Sequence, residues 1–268
     1  MVDGAKDRPL RILVSNDDGI HAPGLKVLIR IAKAISTDVW VVAPETEQSG
    51  ASHSLTLTSP LRIRKAGAKR YAVSGTPTDC VMMAIDRLIK GRKPDLVLSG
   101  VNRGGNIGED VTYSGTIAAA MEGTMLGVPS IAMSQVLGFD RDKPVQWACA
   151  AAHGAAVVRR LLETGWPDDV LINVNFPPIA PEEVTGVRVS HQGRRGVGNL
   201  FVEERVDARG NDYYWLGYRR SPEPPEVDSD IEAVYAGAIS VTALHLDLTH
   251  YDTQANLRRA FSGLDLGS

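Results

Sequence analysis

Apolar and polar positions along the chain alternate between two rhythms. Residues 11–15 (RILVS) form a short continuous apolar run, the pattern of a strand buried on both faces. Asn16, Asp17, Asp18 and Gly19 end it with turn chemistry. Residues 24–35 then place Leu25, Leu28, Ile29, Ile31, Ala32 and Ile35 at helical spacing, and residues 38–43 (DVWVVA) make a second buried strand closed by Pro44. Alternation over 55–65 predicts a strand that Pro60 marks as an edge or a bend. A short strand follows at Tyr71–Val73, and Thr76, Pro77, Thr78 and Asp79 open a helix continued by the apolar face of 80–89. Further strands are predicted over 95–99, 130–133 and 170–174, with helices over 116–126 and 145–163. A long glycine-rich loop spans 100–115.

After Pro177-Pro178 the pattern changes. Residues 186–220 read as strands with turns, with a hairpin tip at 209–212. An acidic, proline-rich connector at 221–230 leads to a short helix at 231–236, a strand at 239–244 and a terminal helix at 254–262. Alternating strands and helices through about residue 178 imply an α/β fold with a mostly parallel, doubly wound sheet and a β-rich extension behind it. Tyr213, Tyr214 and Trp215 either meet another subunit or complete the local core.

Composition narrows the class. The chain has 268 residues, 43% hydrophobic and 23% charged, and 29 basic against 32 acidic side chains give a net charge of −3. That balance fits a globular protein and argues against disorder and against a general nucleic-acid binder held by counterion release. Neither a signal peptide nor an apolar run long enough to span a membrane is visible, so the expected location is the cytoplasm, with no membrane partner. Cys80 and Cys149 are too few for a disulfide scaffold or a four-cysteine zinc site.

In a sheet of this kind, ligands bind beyond the carboxyl ends of the strands. Three polar segments lie there. Asp17 and Asp18 leave the first strand side by side, and two adjacent negative charges call for a hard divalent ion such as Mg2+ or Mn2+. An Asx-turn followed by a helix cap is the alternative, and it needs no metal. The segment Gln48–Ser54 supplies hydroxyls that can reach the same edge, or it is a solvated loop. The third segment, Ser99–Asn106, leads to Tyr113-Ser114-Gly115-Thr116 at the start of a helix. A helix N-terminus is an anion site, so Ser114, Gly115 and Thr116 read as a phosphate cradle, with Asn102 and Asn106 able to meet metal or phosphate oxygens. Ser114 serves equally as a plain N-cap. Neither a Walker A pattern nor a GxGxxG fingerprint is present.

Taken together, VSNDDG at 14–19, QSGASHSLT at 48–56, VSGTPTDCV at 73–81, LSGVNRGGN at 98–106, YSGTIAAAMEG at 113–123 and DSDIEAVYAGAISVTAL at 228–244 resemble the SurE family, in the same order and over about residues 11–246. The resemblance implies a Rossmann-like catalytic core over 1–185. A C-terminal extension over 186–268 would carry a projecting hairpin and a segment exchanged between subunits, giving a homodimer or homotetramer. It implies a phosphomonoesterase acting on nucleoside 5′- and 3′-monophosphates, with no stable nucleic-acid partner. Polyphosphate or sugar-phosphate hydrolysis, or nucleotide binding without hydrolysis, are the alternatives. By likeness, Asp17, Asp18, Ser49 and Asn102 hold one divalent metal ion per subunit, Asp17 and Asp18 are catalytic, and Asn106, Ser114, Gly115 and Thr116 hold phosphate.

The charges explain the design: two carboxylates and one dication sum to zero, so a phosphate dianion can approach. Either water attacks, with an Asp orienting or deprotonating it, or an Asp is itself the nucleophile. His21 and His53 flank the segment as possible proton donors or ordinary surface residues. Cys80 packs as a small apolar residue or forms a stabilised thiolate, Thr78 and Asp79 cap a helix, and Asp228 or Asp230 can tie a swapped segment.

Overall fold

In β1 (Arg11–Ser15) successive side chains point to opposite faces, and both faces are covered. Ile12 and Val14 share a core with Leu25, Leu28 and Ile31 of α1 (Pro23–Ile35). Leu13 belongs to a second core with Val42, Val97, Cys80 and Val81. Burial on both sides is why this strand reads as an unbroken apolar run. The computed structural model describes residues 8–138, 145–194, 200–218 and 224–264.

After α1 come β2 (Asp38–Pro44), β3 (Ile63–Gly67), β4 (Arg70–Val73), α2 (Pro77–Met83), β5 (Leu96–Arg103), α3 (Gly115–Met125), β6 (Ser130–Gln135), α4 (Ala148–Thr164) and β7 (Val170–Phe176). The C-terminal part supplies β8 (Val187–Val189), β9 (Leu200–Val206), β10 (Asp212–Tyr218), α5 (Asp230–Tyr235), β11 (Ile239–His245) and α6 (Tyr251–Ala260). Nine strands form one sheet in the order β3-β4-β2-β1-β5-β6-β7-β11-β8, and β9 and β10 form a separate antiparallel pair. Strands β4, β2, β1, β5, β6 and β7 run parallel, while β3 and β11 are antiparallel to their neighbours β4 and β7. The mostly parallel α/β sheet expected from the sequence is the sheet observed.

The strand order explains where function is to be sought. From β1 the chain winds outward through β2 to β4 and β3, then returns to place β5 on the other side of β1. The carboxyl ends of β1 and β5 therefore flank the topological switch point, where a crevice opens in such folds. Helices α1 and α4 pack together on one face, and α2 and α3 on the other. Among the described residues no helix is long and apolar enough to cross a membrane.

Four local expectations are revised. Residues 55–62 are not strand; only Ile63–Gly67 pairs, at the sheet edge. The Thr56 backbone N–H instead meets Asp79 Oδ1 at 3.1 Å and its hydroxyl meets Asp79 Oδ2 at 2.6 Å, so the donor a strand would use is turned toward α2. Strand β5 runs on to Arg103 through a register shift between Gly100 and Asn102, so the expected loop begins later, and part of it is a 3-10 turn at Gly108–Thr112. Helix α2 gives way to a single π turn at Ala84–Leu88. Helix α6 starts at Tyr251, because the His250 ring accepts from the Thr253 N–H at 3.2 Å and caps it there.

At the opposite, amino end of the sheet, Asp38 receives Arg11 Nε and Lys69 Nζ, each at 2.8 Å, and Trp40 Nε1 at 3.1 Å. Burial opposes ionisation there, but the hydrogen bonds from Lys69 and Arg11 win and hold its pKa down at about 2. A depressed carboxylate stabilises the fold above its unfolded value near 4, and that contribution is lost as pH falls toward 2. Asp38→Asn is expected to lower stability by about 1–2 kcal/mol at pH 7 and by much less at pH 2.5. Thermal melts of both proteins at the two pH values check this, and an equal gap at both would refute it.

Candidate active site

The turn after β1 is built to hold two carboxylates together. Asn16 Nδ2 donates to the Gly19 carbonyl at 3.1 Å and closes the turn. Gly19 has φ +96°, and the Thr46 backbone lies against it, where a Cβ would be 3.3 Å from the Thr46 carbonyl carbon. A side-chain-bearing residue would be strained there twice over. The Gln48 N–H donates to the Asp17 carbonyl at 2.8 Å, which fixes the 47–54 loop to this turn.

Asp17 is 4% exposed. Its Oδ1 accepts from the Thr116 hydroxyl at 2.6 Å, and the Thr116 backbone N–H also supports it. The positive end of α3 is thus aimed at Asp17. Gly115 makes this approach possible: a Cβ there would lie 2.8 Å from the Asp17 Cβ and 3.1 Å from Pro77 Cγ. The Ser114 hydroxyl accepts from the Ile117 N–H at 3.1 Å and caps the helix. Asp18 is less buried, and its Oδ2 accepts from the Arg103 N–H at 3.2 Å, across the switch point on β5.

Burial pushes the Asp17 carboxyl above its ordinary range, and the Thr116 hydrogen bond opposes the shift only in part. Asp18 rises to about 6, through burial first and the neighbouring Asp17 charge second, with Glu47 adding to both. Three more oxygens at these strand ends, Ser15 Oγ, Asn16 Oδ1 and Ser99 Oγ, are buried without a hydrogen-bond partner among the described residues. Among the described residues no cluster of three or more His, Cys, Asp or Glu is arranged to hold a metal. Any cation here would rest on the two aspartates and on neutral oxygens.

The family profile described as Survival protein SurE matches residues 12–199 of this chain. The chain belongs to the SurE family. It is 58% identical over 252 residues to the 5'-nucleotidase SurE of Paramagnetospirillum magneticum, covering 94% of this chain and 96% of that one. It is 56% identical over 257 residues to the 5'-nucleotidase SurE of Parvibaculum lavamentivorans, covering 96% of this chain and 93% of that one. Among solved structures, the SurE protein of Aquifex aeolicus superposes with a TM-score of 0.82 at 40% identity, covering 93% of this chain and 99% of that one.

Of the residues expected in this SurE site, the fold joins Asp17, Gly115 and Thr116 directly and brings Asp18 to the backbone of Arg103. Asn102 adjoins that contact, with its amide nitrogen donating to the Gly104 carbonyl at 3.0 Å. Ser49 is exposed and its hydroxyl donates to Glu47 Oε1 at 2.8 Å, so it faces its own loop. Asn106 is buried and serves the loop's architecture. Its N–H donates to Asn175 Oδ1 at 2.9 Å and its side-chain amide to Ser134 Oγ at 2.8 Å. Its carbonyl accepts from Asn173 at 2.8 Å and from Asn175 at 3.1 Å. His53 Nε2 lies 3.1 Å from Glu122 Oε2, a buried carboxylate on α3. Burial, with Asp79 adding to it, pushes the Cys80 thiol well up, so Cys80 is a packed core residue.

Three participants were missed: Glu47, the Asn173–Asn175 pair, and the working role of Asp230. The N-x-N spacing inside an otherwise apolar strand was the available signal for the asparagines, because two amides on one buried face demand partners. Asp230 is fully buried, and its Oδ2 accepts from the Gly108 N–H at 2.9 Å. Its Oδ1 accepts from the Gly193 N–H at 2.9 Å and the Ile231 N–H at 2.8 Å. Asp230→Asn turns an N–H toward one of these backbone donors, which is expected to cost about 2–3 kcal/mol. Chemical denaturation measures this directly, and a change below about 0.5 kcal/mol, typical of a surface site, would contradict it.

Proposed function

We propose that this chain is a phosphomonoesterase that hydrolyses nucleoside 5′-monophosphates, and 3′-monophosphates as well, to nucleoside and phosphate. The names of its relatives support the nucleotidase class. The observation that carries the reading is the Asp17–Asp18 pair at the switch point, with the buried Asp17 facing the N-terminus of α3 and the half-buried Asp18 facing the β5 backbone. One divalent cation, Mg2+ or Mn2+, would rest on Asp17, Asp18 and the side-chain oxygens of Ser49 and Asn102. The residues fit such an ion. The donors are all oxygen, the Asp17 charge adds to burial in raising the Asp18 pKa, and buried oxygens beside them lack partners among the described residues. When bound, the cation would supply Lewis-acid stabilisation of the charge that builds on the phosphoryl oxygens.

The chain's own groups do the rest. Ser114 caps α3, and the missing side chain at Gly115 lets Asp17 lie against the helix's first turn, where its positive end would face a bound phosphate. Thr116 holds Asp17 in place through its hydroxyl. Asn106 supports the 104–112 loop from beneath, so its part in phosphate binding is to shape the cradle. In the hydrolysis itself, a water oxygen bonds to phosphorus as the phosphorus–ester bond breaks. An Asp carboxylate takes a proton from the attacking water, the departing nucleoside oxygen takes one from solvent, and the Asp returns its proton to solvent. Assembly into a dimer or tetramer through the C-terminal part is proposed alongside. The exposed Val202, Trp215 and Leu216 of the β9–β10 pair, and Tyr251 and Phe261 at α6, support it.

Phosphate release from a panel of nucleoside monophosphates, with Mg2+ or Mn2+ and then with a chelator, tests the reading. Activity is expected only with metal. Asp17→Asn is expected to lose well over 90% of it while the far-UV spectrum stays native, because a charged ligand to the ion is gone. A mutant keeping more than about a tenth of the rate, or hydrolysis indifferent to chelator, would overturn it.

A further inference from the structure

The loop that carries Ser49 runs between β2 and β3, and its backbone is tied down on both sides of that residue. On one side the Gln48 N–H donates to the Asp17 carbonyl at 2.8 Å. On the other, the Ser52 hydroxyl donates to the Thr112 carbonyl at 2.8 Å, just ahead of α3. Next, His53 Nε2 lies 3.1 Å from Glu122 Oε2, and the Ser54 carbonyl accepts from the Thr76 hydroxyl at 2.8 Å. Between these ties the loop has no support of its own: a Cβ on Gly50 would meet nothing within 4 Å. Ser52 has φ +52°, a left-handed conformation that a residue with a side chain keeps only when its surroundings impose it. The shape of the loop is therefore held from outside.

Among these ties only His53–Glu122 joins two side chains, and only it can join opposite charges. Glu122 is the one charged residue of α3, about two turns along the helix from Ser114, and its side chain is 7% exposed. Helical side chains lean toward the N-terminus, so this carboxylate leans toward the phosphate end of α3. A buried carboxylate is costly unless a partner meets it. Among the described residues His53 is its one side-chain partner, and the imidazole is 30% exposed on the loop. The pair thus fastens the loop to the same helix whose first turn holds Asp17.

We propose, resting on the nucleotidase reading above, that His53 and Glu122 are positioning residues for the cation. Their pair holds the loop so that Ser49 stays within reach of an ion on Asp17 and Asp18. Neither residue touches the ion or the ester, and His53 is an anchor rather than a proton donor. Partners of this outer kind typically govern metal affinity by about 10–100-fold. Releasing the loop leaves the aspartates and the start of α3 as they are, so the loss falls on metal binding rather than on turnover once the ion is bound.

The test titrates Mn2+ into substrate-free protein and follows the paramagnetic resonance of the unbound ion. It compares wild type, the double variant His53→Ala with Glu122→Gln, and His53→Gln. The double variant removes the tie without leaving a buried charge unpaired. It is expected to bind Mn2+ at least tenfold more weakly, while its kcat on a nucleoside 5′-monophosphate at saturating Mn2+ stays within threefold of wild type. His53→Gln keeps a side-chain N–H that reaches about as far as the ring nitrogen, so it is expected to bind Mn2+ within threefold of wild type. Mn2+ binding by the double variant within twofold of wild type would overturn the proposal, as would His53→Gln binding no better than the double variant. Should the double variant not fold, His53→Ala alone carries the same expectation. Wild type that binds no Mn2+ and releases no phosphate from nucleotides would instead defeat the nucleotidase reading itself, so the two failures are separate results.

Discussion

Two carboxylates on consecutive residues at the end of the first strand, one buried and one half-buried, are the constraint around which this molecule is arranged. Left alone, such a pair is unfavourable: burial raises both pKa values, and the Asp17 charge raises that of Asp18 further. The fold answers with the few positive features a backbone can offer. The end of α3 and the Thr116 hydroxyl serve Asp17, and a β5 amide serves Asp18. The donors come from two segments, so the site requires the switch point to bring β1, β5 and α3 together.

This arrangement leaves the charge balance incomplete. Glu47 adds negative potential from the loop that is fastened to the Asp17 carbonyl. In the proposed reading a hard dication would offset this acid, and the site could then accept a dianionic ester. The surrounding scaffold is correspondingly stiff. Helix α3 is buried almost all round, and the Asn106–Asn173–Asn175 amides lock the loop to β7 from below.

Much of this was legible in the residues, for identifiable reasons. The parallel strands were readable because both of their faces are apolar, and the strand-end location of the site followed from the order of elements. The aspartate pair and the Ser114–Thr116 turn were readable because their chemistry is local. Residues 55–62 misled because their alternation mimics a half-buried strand. In the fold Thr56 turns to Asp79, while Leu57 is 84% exposed. Asn106 was read as a ligand because a sequence does not show that two asparagines nearly 70 positions away already claim it. Glu47 acts through space, and nothing at its own position announces a neighbour on β1.

The carboxylate of Asp230 grips Gly108 with one oxygen and Gly193 with the other. Gly193 stands where the chain departs toward β9, and Gly108 stands in the loop that frames the catalytic crevice. A single buried side chain thus ties the two segments together. Neither glycine can shift without giving up a hydrogen bond to the same buried carboxylate, so the two segments keep their spacing independently of the sheet.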